Sequence, residues 1–497
     1  MTDFTRLVDL ADRRLGGGVV AANDEFFAEK ENLLRRSTPV FDPYSFTSRG
    51  KLMDGWETRR RRDPDHDAGG AATRDWAIVR LGTPGIVRGV VVDTAHFLGN
   101  YPQAGSVEAC AADGYPSPDE LASALWHKIV PQSPLQAGTE HRFAVSDEHR
   151  WTHVRLSIYP DGGVARLRVH GEVLPDPRLL DGRPLDLVSI EAGGVAIDCS
   201  DRFYSDPANL LLPSTPSTMA DGWETRRRRG AGNDWALLRL GSRGLVRQVV
   251  VDTTHFLGNA PGQCRITGCD ATTHPADDPA SWVEILPRTS LQPDTVHRLG
   301  ADPAGPVTHA RIDIYPDGGL ARLRLFGDLD PVGRQSLGLA WLNALPAERA
   351  QEVLLGCNAA PVWAGAMTAG RPYPSRADLI EAGGRVADGL DRDDWLVAFD
   401  AHPRIGARGR LSLRSRQEQA GVGSVPAEVL AALDEGNREY EERFGHVFLV
   451  CASGLSAEQM LAALQQRLSH DAETELAIAT AEHRKITALR LASLVGE

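Results

Sequence analysis

A period of two in the pattern of apolar and polar residues dominates the first two thirds of the chain. Four segments carry it, residues 153–159, 165–170, 309–315 and 321–326. This alternation predicts strands with one face in a core and the other in solvent. Residues 90–92 are all valine, which predicts an inner strand that ends at Asp93. The turn sequence Tyr-Pro-Asp-Gly-Gly follows the first strand of each pair and helical periodicity is scarce, so the pattern predicts antiparallel β-sandwiches.

The periodicity changes to that of helices after about residue 335. Ser456 and Gln459 have the spacing of a capping box, and an apolar stripe follows them. Ile486 and Leu489 form a second, shorter stripe, and Arg490 projects from the same face because it lies four residues after Ile486. A charged side chain on a buried face needs a partner. Arg490 therefore belongs to a structural ion pair, extends its guanidinium to solvent at the edge of the bundle, or belongs to a functional site.

The chain contains one nine-residue string twice. DGWETRRRR occupies residues 54–62 and recurs without a change at residues 221–229. Further segments match in the same order, residues 75–77 with 234–236, 90–100 with 249–259, and 158–163 with 314–319. Duplication over this length indicates two tandem domains rather than a solenoid. The first copy has eight extra residues in the polar loop that follows Arg62, as expected of a tolerated surface insertion.

Length and composition agree with about three domains. We predict that residues 1–178 and 179–332 are the two sandwiches and that residues 333–497 are an all-α bundle. The net charge of −13 argues against a general nucleic-acid binder, and no apolar run approaches the ~18 residues of a membrane span. The six cysteines show no repeated metal spacing, so we expect free thiols in a reducing, cytoplasmic compartment.

Polar residues cluster where the inner strand of each unit ends. Asp93 and His96 follow the strand in the first copy, and Asn100 closes the Gly-Asn turn after them. One interpretation is structural: Asp93 caps the turn, His96 is a satisfied histidine, and Asn100 adopts a left-handed conformation. The duplication of all three beside an Asp/Glu/Arg string favours a site instead. The arginines offer planar forks that suit a carboxylate or phosphate, the alternative being a basic surface run.

The duplicated pattern DGWETRRRR…DWA…VVVDT-HFLGN…IYPDGG-ARLR-G resembles the allantoicase family over about residues 10–332. The resemblance implies two jelly-roll-like sandwiches and hydrolysis of allantoate to ureidoglycolate and urea. Arginine forks would hold the substrate carboxylate, and Asp or Glu oxygens would accept its ureido N–H donors. The expected substrate-binding residues are Asp54, Glu57, Arg59, Arg60, Asp93, His96 and Asn100, with their second copies Asp221, Glu224, Arg226, Arg227, Asp252, His255 and Asn259.

The chemical roles in this hydrolysis stay open at the level of sequence. A His with an Asp could act as a general base on water, as a proton donor to the leaving urea, or as metal ligands. Two groups with no third of clear spacing are a weak metal signature, so we expect no metal. The sequence also does not say which repeat holds the site, or whether one copy is only structural.

A second set of candidates lies in the helical part. The motif AHPRIG at residues 401–406 ends a helix that begins near Asp393, because Pro403 disfavours helix at His402. An imidazole at a helix C-terminus is stabilised in its protonated form, which favours a proton donor near neutral pH. The alternative is a helix stop with an exposed His. Ser415 and Glu418 have capping-box spacing, which explains the Glu without any site.

Four motifs in order, AHPRIG, SRQEQAG, N-x-x-Y-x-x-RFGHVFLVCASG and E-x-x-x-I-T-A-L-R-L, resemble OHCU decarboxylase over about residues 336–494. That family decarboxylates 2-oxo-4-hydroxy-4-carboxy-5-ureidoimidazoline, a product of urate oxidation, to (S)-allantoin, and its helical bundle uses no cofactor. The resemblance places catalytic roles on His402, Glu418 and Arg490 and substrate contacts on Pro403, Ser415, Gln419, Phe448 and Val450. It implies that His402 delivers a proton, that Arg490 holds anionic oxygen, and that Glu418 binds N–H groups and orients His402.

Together the resemblances predict a bifunctional enzyme of urate degradation that acts on small ureides, without nucleic acid, membrane, metal or cofactor. The two reactions are not consecutive, because allantoin must be ring-opened to allantoate between them. We therefore expect a separate allantoinase and urate-oxidation enzymes as functional partners. The rival hypothesis is an OHCU decarboxylase that carries two non-catalytic ligand-binding sandwiches. The oligomeric state is open, and a homo-oligomer is one of the states allowed.

Overall fold

The computed structural model of the chain describes residues 3–61, 74–302, 305–404, 427–452 and 455–496. The chain divides into two compact units, Met1–Ala344 and Leu345–Glu497. The first unit is built mainly from strands and the second from helices, which confirms the change of periodicity seen in the sequence.

The first repeat contains twelve described strands and one short helix. The strands are β1 (Val8–Asp9), β2 (Gly18–Ala22), β3 (Phe46–Thr47), β4 (Gly50–Lys51), β5 (Trp56–Glu57), β6 (Asp75–Asp93), β7 (Ala104–Cys110), β8 (His127–Pro134), β9 (Glu140–Ala144), β10 (Arg150–Tyr159), β11 (Gly163–Val164) and β12 (Arg166–Val173). Helix α1 (Pro118–Ala122) lies between β7 and β8. Strand β6 ends at Asp93, as the valine run predicts.

Strand β6 is the central strand of the sandwich because it pairs with two groups of strands. Its N-terminal part pairs with β2 and β10, and its C-terminal part pairs with β9 and β12. The strand order is β1–β12–β6–β10–β7–β8, and every pair is antiparallel. Val154, Leu156 and Ile158 on β10 are fully buried, so the predicted alternation is confirmed.

The second repeat has the same topology. Its strands are β13 (Leu185–Asp186), β14 (Val195–Cys199), β15 (Trp223–Glu224), β16 (Asp234–Asp252), β17 (Gln263–Cys269), β18 (Val283–Ser290), β19 (Val296–Gly300), β20 (Val307–Tyr315), β21 (Gly319–Leu320) and β22 (Arg322–Leu329). The order β13–β22–β16–β20–β17–β18 repeats that of the first sheet, with β14 and β19 also on the long strand β16. Two tandem sandwiches are thereby confirmed.

The two sandwiches share part of their apolar interior. Leu15, from the first repeat, is 4% exposed and belongs to the core cluster of the second repeat. Val8 and Val173 pack against both clusters. Arg14 also donates from Nη1 to Asn209 Oδ1 at 3.2 Å. Burial of a leucine side chain contributes roughly 1.5–3 kcal/mol, so the first repeat supplies stability to the second.

The loop that follows β6 packs against the short strand pair β5–β11 and positions the candidate residues. Strand β5 pairs with β11, and the ring of Phe97 covers Gly163, where a Cβ atom would lie 2.0 Å from the ring. Gly163 is therefore needed for this close approach. Because Phe97 is fully buried, it holds residues 94–101 against the DGWE segment. Phe256 and Gly319 repeat the arrangement in the second copy.

Helix α2 (Pro331–Ala344) belongs to the first unit rather than to the helical domain in which the sequence boundary at residue 333 placed it. Arg334 on this helix forms an ion pair with Asp181 at 2.7 Å. Gly333 approaches the backbone of Arg243 so closely that a Cβ atom there would lie 2.0 Å from the Arg243 carbonyl oxygen. These contacts attach α2 to the sandwiches.

The second unit is a helical bundle. Its described helices are α3 (Ala347–Leu355), α4 (Pro361–Ala369), α5 (Arg376–Ala387), α6 (Arg392–Asp400), α7 (Ala427–Phe444), α8 (Ala457–Arg467) and α9 (Ala472–Val495). The capping box of Ser456 and Gln459 at the start of α8 is confirmed. None of the helices in the described ranges is both long and apolar enough to cross a membrane.

The second apolar stripe of the sequence analysis was partly wrong. Leu489 on α9 is 46% exposed, whereas Ile486 is buried. The buried face follows His483, Thr487 and Leu491, which lie four residues apart. Leu489 lies two residues after Thr487. Two residues rotate a helix by about 200°, so the Leu489 side chain lies on the solvent side.

Candidate active sites

Two arginines of each duplicated string form ion pairs with aspartates. Arg59 Nε lies 2.6 Å from Asp24 Oδ2, and Arg61 Nη2 lies 2.7 Å from Asp75 Oδ1. The second copy repeats both ion pairs, Arg226 with Asp201 and Arg228 with Asp234. Each of these pairs holds a guanidinium in place without any ligand. These ion pairs therefore explain, at least for Arg59 and Arg61 and their second copies, why the arginines are identical in both repeats without any contact to substrate.

Arg60 and Arg227 lie between the anchored arginines. The side chain of Arg60 is 66% exposed, and its Nε is 3.6 Å from Asp161 Oδ1. Arg227 is also exposed. The fourth arginine of the first string, Arg62, lies outside the described residues. All four arginines of the predicted clamp, Arg59, Arg60, Arg226 and Arg227, are therefore exposed, and Arg59 and Arg226 are also ion-paired.

Asp54 fixes the backbone around it. Its carboxylate accepts hydrogen bonds from Arg166 Nη2 at 2.8 Å, Arg35 Nη1 at 3.1 Å and the Val40 amide at 3.0 Å. Burial opposes ionisation, but the Arg166 and Val40 hydrogen bonds outweigh it and hold the pKa of Asp54 below its ordinary value. Asp221, by contrast, accepts from the amides of Ser217 and Thr218.

A carboxylate–amide pair is conserved between the two repeats. Asn100 donates from Nδ2 to Glu57 Oε1 at 2.5 Å, and Asn259 donates to Glu224 Oε1 at 2.6 Å. Burial raises the pKa of Glu57, and the bond from Asn100 only partly opposes this. A half-buried carboxyl group with a raised pKa is a candidate acid–base group. The structure therefore brings together Glu57 and Asn100, which lie 43 residues apart in the chain.

The paired His and Asp of the sequence analysis do not bond to each other. Asp93 Oδ1 accepts from the Ala95 amide at 2.8 Å, and His96 Nε2 lies 3.0 Å from the Pro39 carbonyl oxygen. His96, rather than Asn100, has the left-handed backbone conformation, with φ 68°. Burial, with the nearby charge of Glu140, raises the pKa of Asp93. In the second copy Asp252 caps the Thr254 amide and His255 Nε2 lies 3.2 Å from the Pro216 carbonyl oxygen.

The second candidate site lies at the end of α6. The helix ends at Asp400, and the His402 amide bonds to the Phe399 carbonyl at 3.0 Å. Burial, followed by the positive charge of Arg490, lowers the pKa of His402 to about 4. The expectation of a protonated imidazole was therefore wrong for the unliganded protein. Loss of solvent and a nearby guanidinium outweigh the favourable helix C-terminus.

His483 adds a histidine that the sequence analysis missed. Its ring centroid lies 4.9 Å from that of His402, edge to face, and the residue is fully buried. Burial, then the charges at His402 and Arg490, lower the pKa of His483 to about 3. The sequence did contain a signal for His483. It lies seven residues before Arg490 and so shares its helix face.

The remaining predicted decarboxylase residues are only partly described. Ser415, Glu418 and Gln419 lie outside the described residues. Phe448 is buried in the core between α7 and α8, where its ring meets the Arg467 guanidinium at 4.7 Å. Its side chain therefore serves the core. Pro403 and Val450 are half-buried.

A buried ionic network supports this part of the bundle. Glu475 is fully buried and bonds to Arg467, to the Tyr440 hydroxyl and to His470 Nδ1. Arg467 Nη1 also donates to the Leu449 carbonyl at 2.6 Å. The network thus ties α7, α8 and α9 to residues 448–451, one of the segments that the resemblance assigns to substrate contacts.

The described ranges contain no group of three or more His, Cys, Asp or Glu side chains arranged to hold a metal ion. Each of the six cysteines is a described residue, and none of them forms a disulfide bond.

We expect the helical unit to lose stability as pH falls below about 6.5. His402 and His483 have folded pKa values of about 4 and about 3, below the ordinary 6.5 of an unfolded histidine. Between these limits the unfolded chain binds protons that the folded unit does not, so the free energy of unfolding decreases as the pH is lowered. Urea unfolding of the fragment Leu345–Glu497 at pH 7 and pH 5 measures this, and a His483→Gln variant should show a smaller difference. Equal stability at both pH values would contradict the burial of neutral rings.

Comparison with protein-family models matches both parts of the chain. A model described as an allantoicase repeat matches residues 8–174 and again residues 185–330. A model described as OHCU decarboxylase matches residues 343–492.

Individual proteins are similar to one part of the chain or the other. A probable allantoicase of Nocardia farcinica is 52% identical over 328 residues, which cover 66% of this chain and 95% of the relative. The crystal structure of allantoicase from Saccharomyces cerevisiae is 33% identical and covers 65% of this chain and 93% of its own, with a TM-score of 0.53. A crystal structure of OHCU decarboxylase in the presence of (S)-allantoin is 33% identical and covers 29% of this chain and 97% of its own, with a TM-score of 0.27.

Proposed function

The chain belongs to the allantoicase family and carries a C-terminal OHCU decarboxylase domain, and from this premise we propose how its two sites work. It is a bifunctional enzyme of urate degradation. One activity hydrolyses allantoate to ureidoglycolate and urea, and the other decarboxylates OHCU to (S)-allantoin. The rival hypothesis of two merely ligand-binding sandwiches does not account for 52% identity to a protein named as an allantoicase.

The observation that carries the hydrolase proposal is the Glu57–Asn100 pair. The carboxyl group of Glu57 is half-buried and has a raised pKa, and Glu57 belongs to the nine-residue string shared by both repeats. Hydrolysis breaks a C–N bond at the central carbon of allantoate and forms a C–O bond to water. We assign to Glu57 the role of general base, which takes a proton from the attacking water. The same group then acts as general acid and gives this proton to the leaving urea nitrogen. Asn100 fixes the carboxylate during both transfers.

The decarboxylase site combines His402 with Arg490. Loss of carbon dioxide breaks a C–C bond and leaves an electron pair on the ring carbon, and a proton from one face completes the product. Arg490 pairs with anionic oxygen of the substrate. Burial first, and then the charge of Arg490, lower the pKa of His402. A substrate anion paired with Arg490 offsets the second of these causes and so favours the protonated imidazole, which delivers its proton to carbon. Glu418 keeps its assignment to substrate N–H groups as a prediction.

We expect the purified full-length chain to perform both reactions. The tests are urea release from allantoate and formation of one allantoin enantiomer from freshly prepared OHCU. A chain that forms (S)-allantoin but releases no urea would contradict the hydrolase assignment. Activity after treatment with a chelator tests the prediction that neither reaction needs a metal, because loss that is restored by one divalent ion would overturn it.

Partners and compartment follow from the chemistry. We propose that a separate allantoinase supplies allantoate and that urate-oxidation enzymes supply OHCU, since neither substrate is a product of this chain. Free cysteines favour a reducing, cytoplasmic compartment.

A further inference from the structure

The two repeats differ most clearly just before the duplicated string. Fourteen residues separate Pro39 from Asp54, whereas four separate Pro216 from Asp221. The ends of the two segments are equivalent, because the carbonyls of Pro39 and Pro216 contact the corresponding histidine rings. The longer segment of the first repeat contains the hairpin of β3 and β4. We call residues 40–53 the repeat-1 insertion.

The insertion forms one wall of a cleft. The opposite wall is formed by residues 27–35, and the cavity between them measures about 560 Å³. A volume of this size suits a small-molecule ligand. The cleft carries apolar surface at Val40 and Leu52, which are 67% and 50% exposed. Its charged lining groups are the carboxylates of Glu29, Asp42 and Asp54 and the guanidinium groups of Arg35 and Arg49.

Two arginines are anchored at the cleft and expose the rest of their guanidinium groups. Arg35 Nη1 bonds to Asp54 Oδ1 at 3.1 Å, and its side chain is 55% exposed. Arg49 Nη1 bonds to the Phe26 carbonyl at 2.9 Å, and its guanidinium lies 5.3 Å from the Phe26 ring centroid. Anchoring through one nitrogen reduces the side-chain freedom that a ligand must otherwise restrict. The remaining N–H groups form forks that suit a carboxylate.

The cleft adjoins the Glu57 site. Phe41 in the insertion stacks on His96 at a centroid distance of 5.8 Å. Met53, which lines the cleft, packs against Phe97. Ala28, also in the cleft wall, forms an isolated β-bridge with Glu57. A ligand in the cleft is therefore next to the loop and strand that carry the proposed acid–base group.

The second repeat lacks these features. Leu212 stands where the first repeat has Arg35, and the shorter segment has no counterpart of Arg49. Met219 in that segment contacts Asn259, with Sδ 3.7 Å from Nδ2. The equivalent Glu224–Asn259 pair thus has a thioether beside it and neither of the two cleft arginines.

We propose that the first repeat alone binds and hydrolyses allantoate, in the cleft walled by the repeat-1 insertion. Arg35 and Arg49 hold the substrate carboxylate, and Glu29 accepts ureido N–H groups. The second repeat keeps the Glu–Asn pair but has neither arginine at the equivalent position. This inference rests on the proposed allantoate hydrolysis and assigns that reaction to one of two similar domains.

The test is steady-state urea release from allantoate by the full-length double variant Arg35→Leu, Arg49→Gln. Leucine is the residue that the second repeat carries at the position of Arg35. We expect kcat/KM to fall by about 100-fold or more, mainly through KM, because uniform binding of the carboxylate is lost. Arg247→Leu is the matched control, since it removes an arginine of similar exposure, 60%, that also pairs with an aspartate. It should leave kcat/KM unchanged.

A second variant separates loss of binding from loss of folding. Val40→Trp should fill the cleft and raise KM while both arginines remain, and the decarboxylase activity of each variant confirms equal amounts of intact chain. Thermal unfolding of the sandwich unit must also match the wild type. Wild-type urea release that survives both the double variant and Val40→Trp would overturn the inference. A wild-type chain that releases no urea would instead overturn the proposed hydrolase function.

Discussion

Replacing His402 with asparagine is expected to lower decarboxylase turnover by ~10²–10⁴-fold, the usual effect of removing a general acid. Asparagine is of similar size and retains an N–H donor, but it cannot exchange a proton in the physiological pH range. His402 lies two residues after the end of α6, beside His483 and the charge of Arg490. The measurement is the rate of (S)-allantoin formation above the slow racemic background. Urea release by the same variant should be unchanged.

Two further results would decide the assignment of His402. Glu418→Gln distinguishes a helix cap from a site residue, because glutamine keeps the capping-box acceptor and should leave both stability and catalysis unchanged, whereas loss of a charged site group lowers turnover. A His402→Asn protein that still produces one enantiomer at the wild-type rate would refute the assignment, together with the roles given to Glu418 and Arg490.

Replacing Arg467 with methionine should destabilise the helical unit by ~3–5 kcal/mol, because it leaves the fully buried carboxylate of Glu475 without its cation. The Leu449 carbonyl also loses its hydrogen bond from Arg467. Urea unfolding of the fragment Leu345–Glu497 gives the free energy of unfolding. The matched control is Arg438→Met, since Arg438 pairs with Glu435 on an exposed helix face and such pairs contribute about 0–1 kcal/mol.

The double variant Arg467→Met, Glu475→Leu tests the cause of that loss. Removing both charges should recover most of the stability, because a buried ion pair can be replaced by apolar residues at little cost. A single Arg467 variant as stable as the wild type would show that Glu475 finds another partner. A double variant as unstable as the single one would assign the loss to packing around Phe448 rather than to charge.

The strand pattern and the tandem sandwiches could be predicted because alternation and duplication are local properties of the sequence. The helical bundle followed from capping and periodicity at Ser456. The assignment of α2 could not, because its attachment depends on Asp181 and on the backbone near Arg243, which are far away in the chain.

The candidate sites were predictable in composition but not in geometry. Retention of the arginines was read as substrate binding, whereas Arg59 and Arg61 are held by Asp24 and Asp75. His402 was expected to be protonated because a helix dipole can be read from sequence, but burial and the charge of Arg490 cannot. The repeat comparison began at the duplicated string and found only the eight-residue insertion after Arg62, whereas the fold shows that residues 40–53 wall a cleft.

The sharing of Leu15 between the sandwiches has a consequence for how such a duplicated protein evolves. The core of the second repeat includes Leu15 of the first, so each sandwich completes the packing of the other. Deleting the second repeat would leave Leu15 exposed and would remove Asn209, the partner of Arg14. Either repeat can therefore change its substrate contacts by mutation, but neither can be deleted without exposing apolar surface of the other.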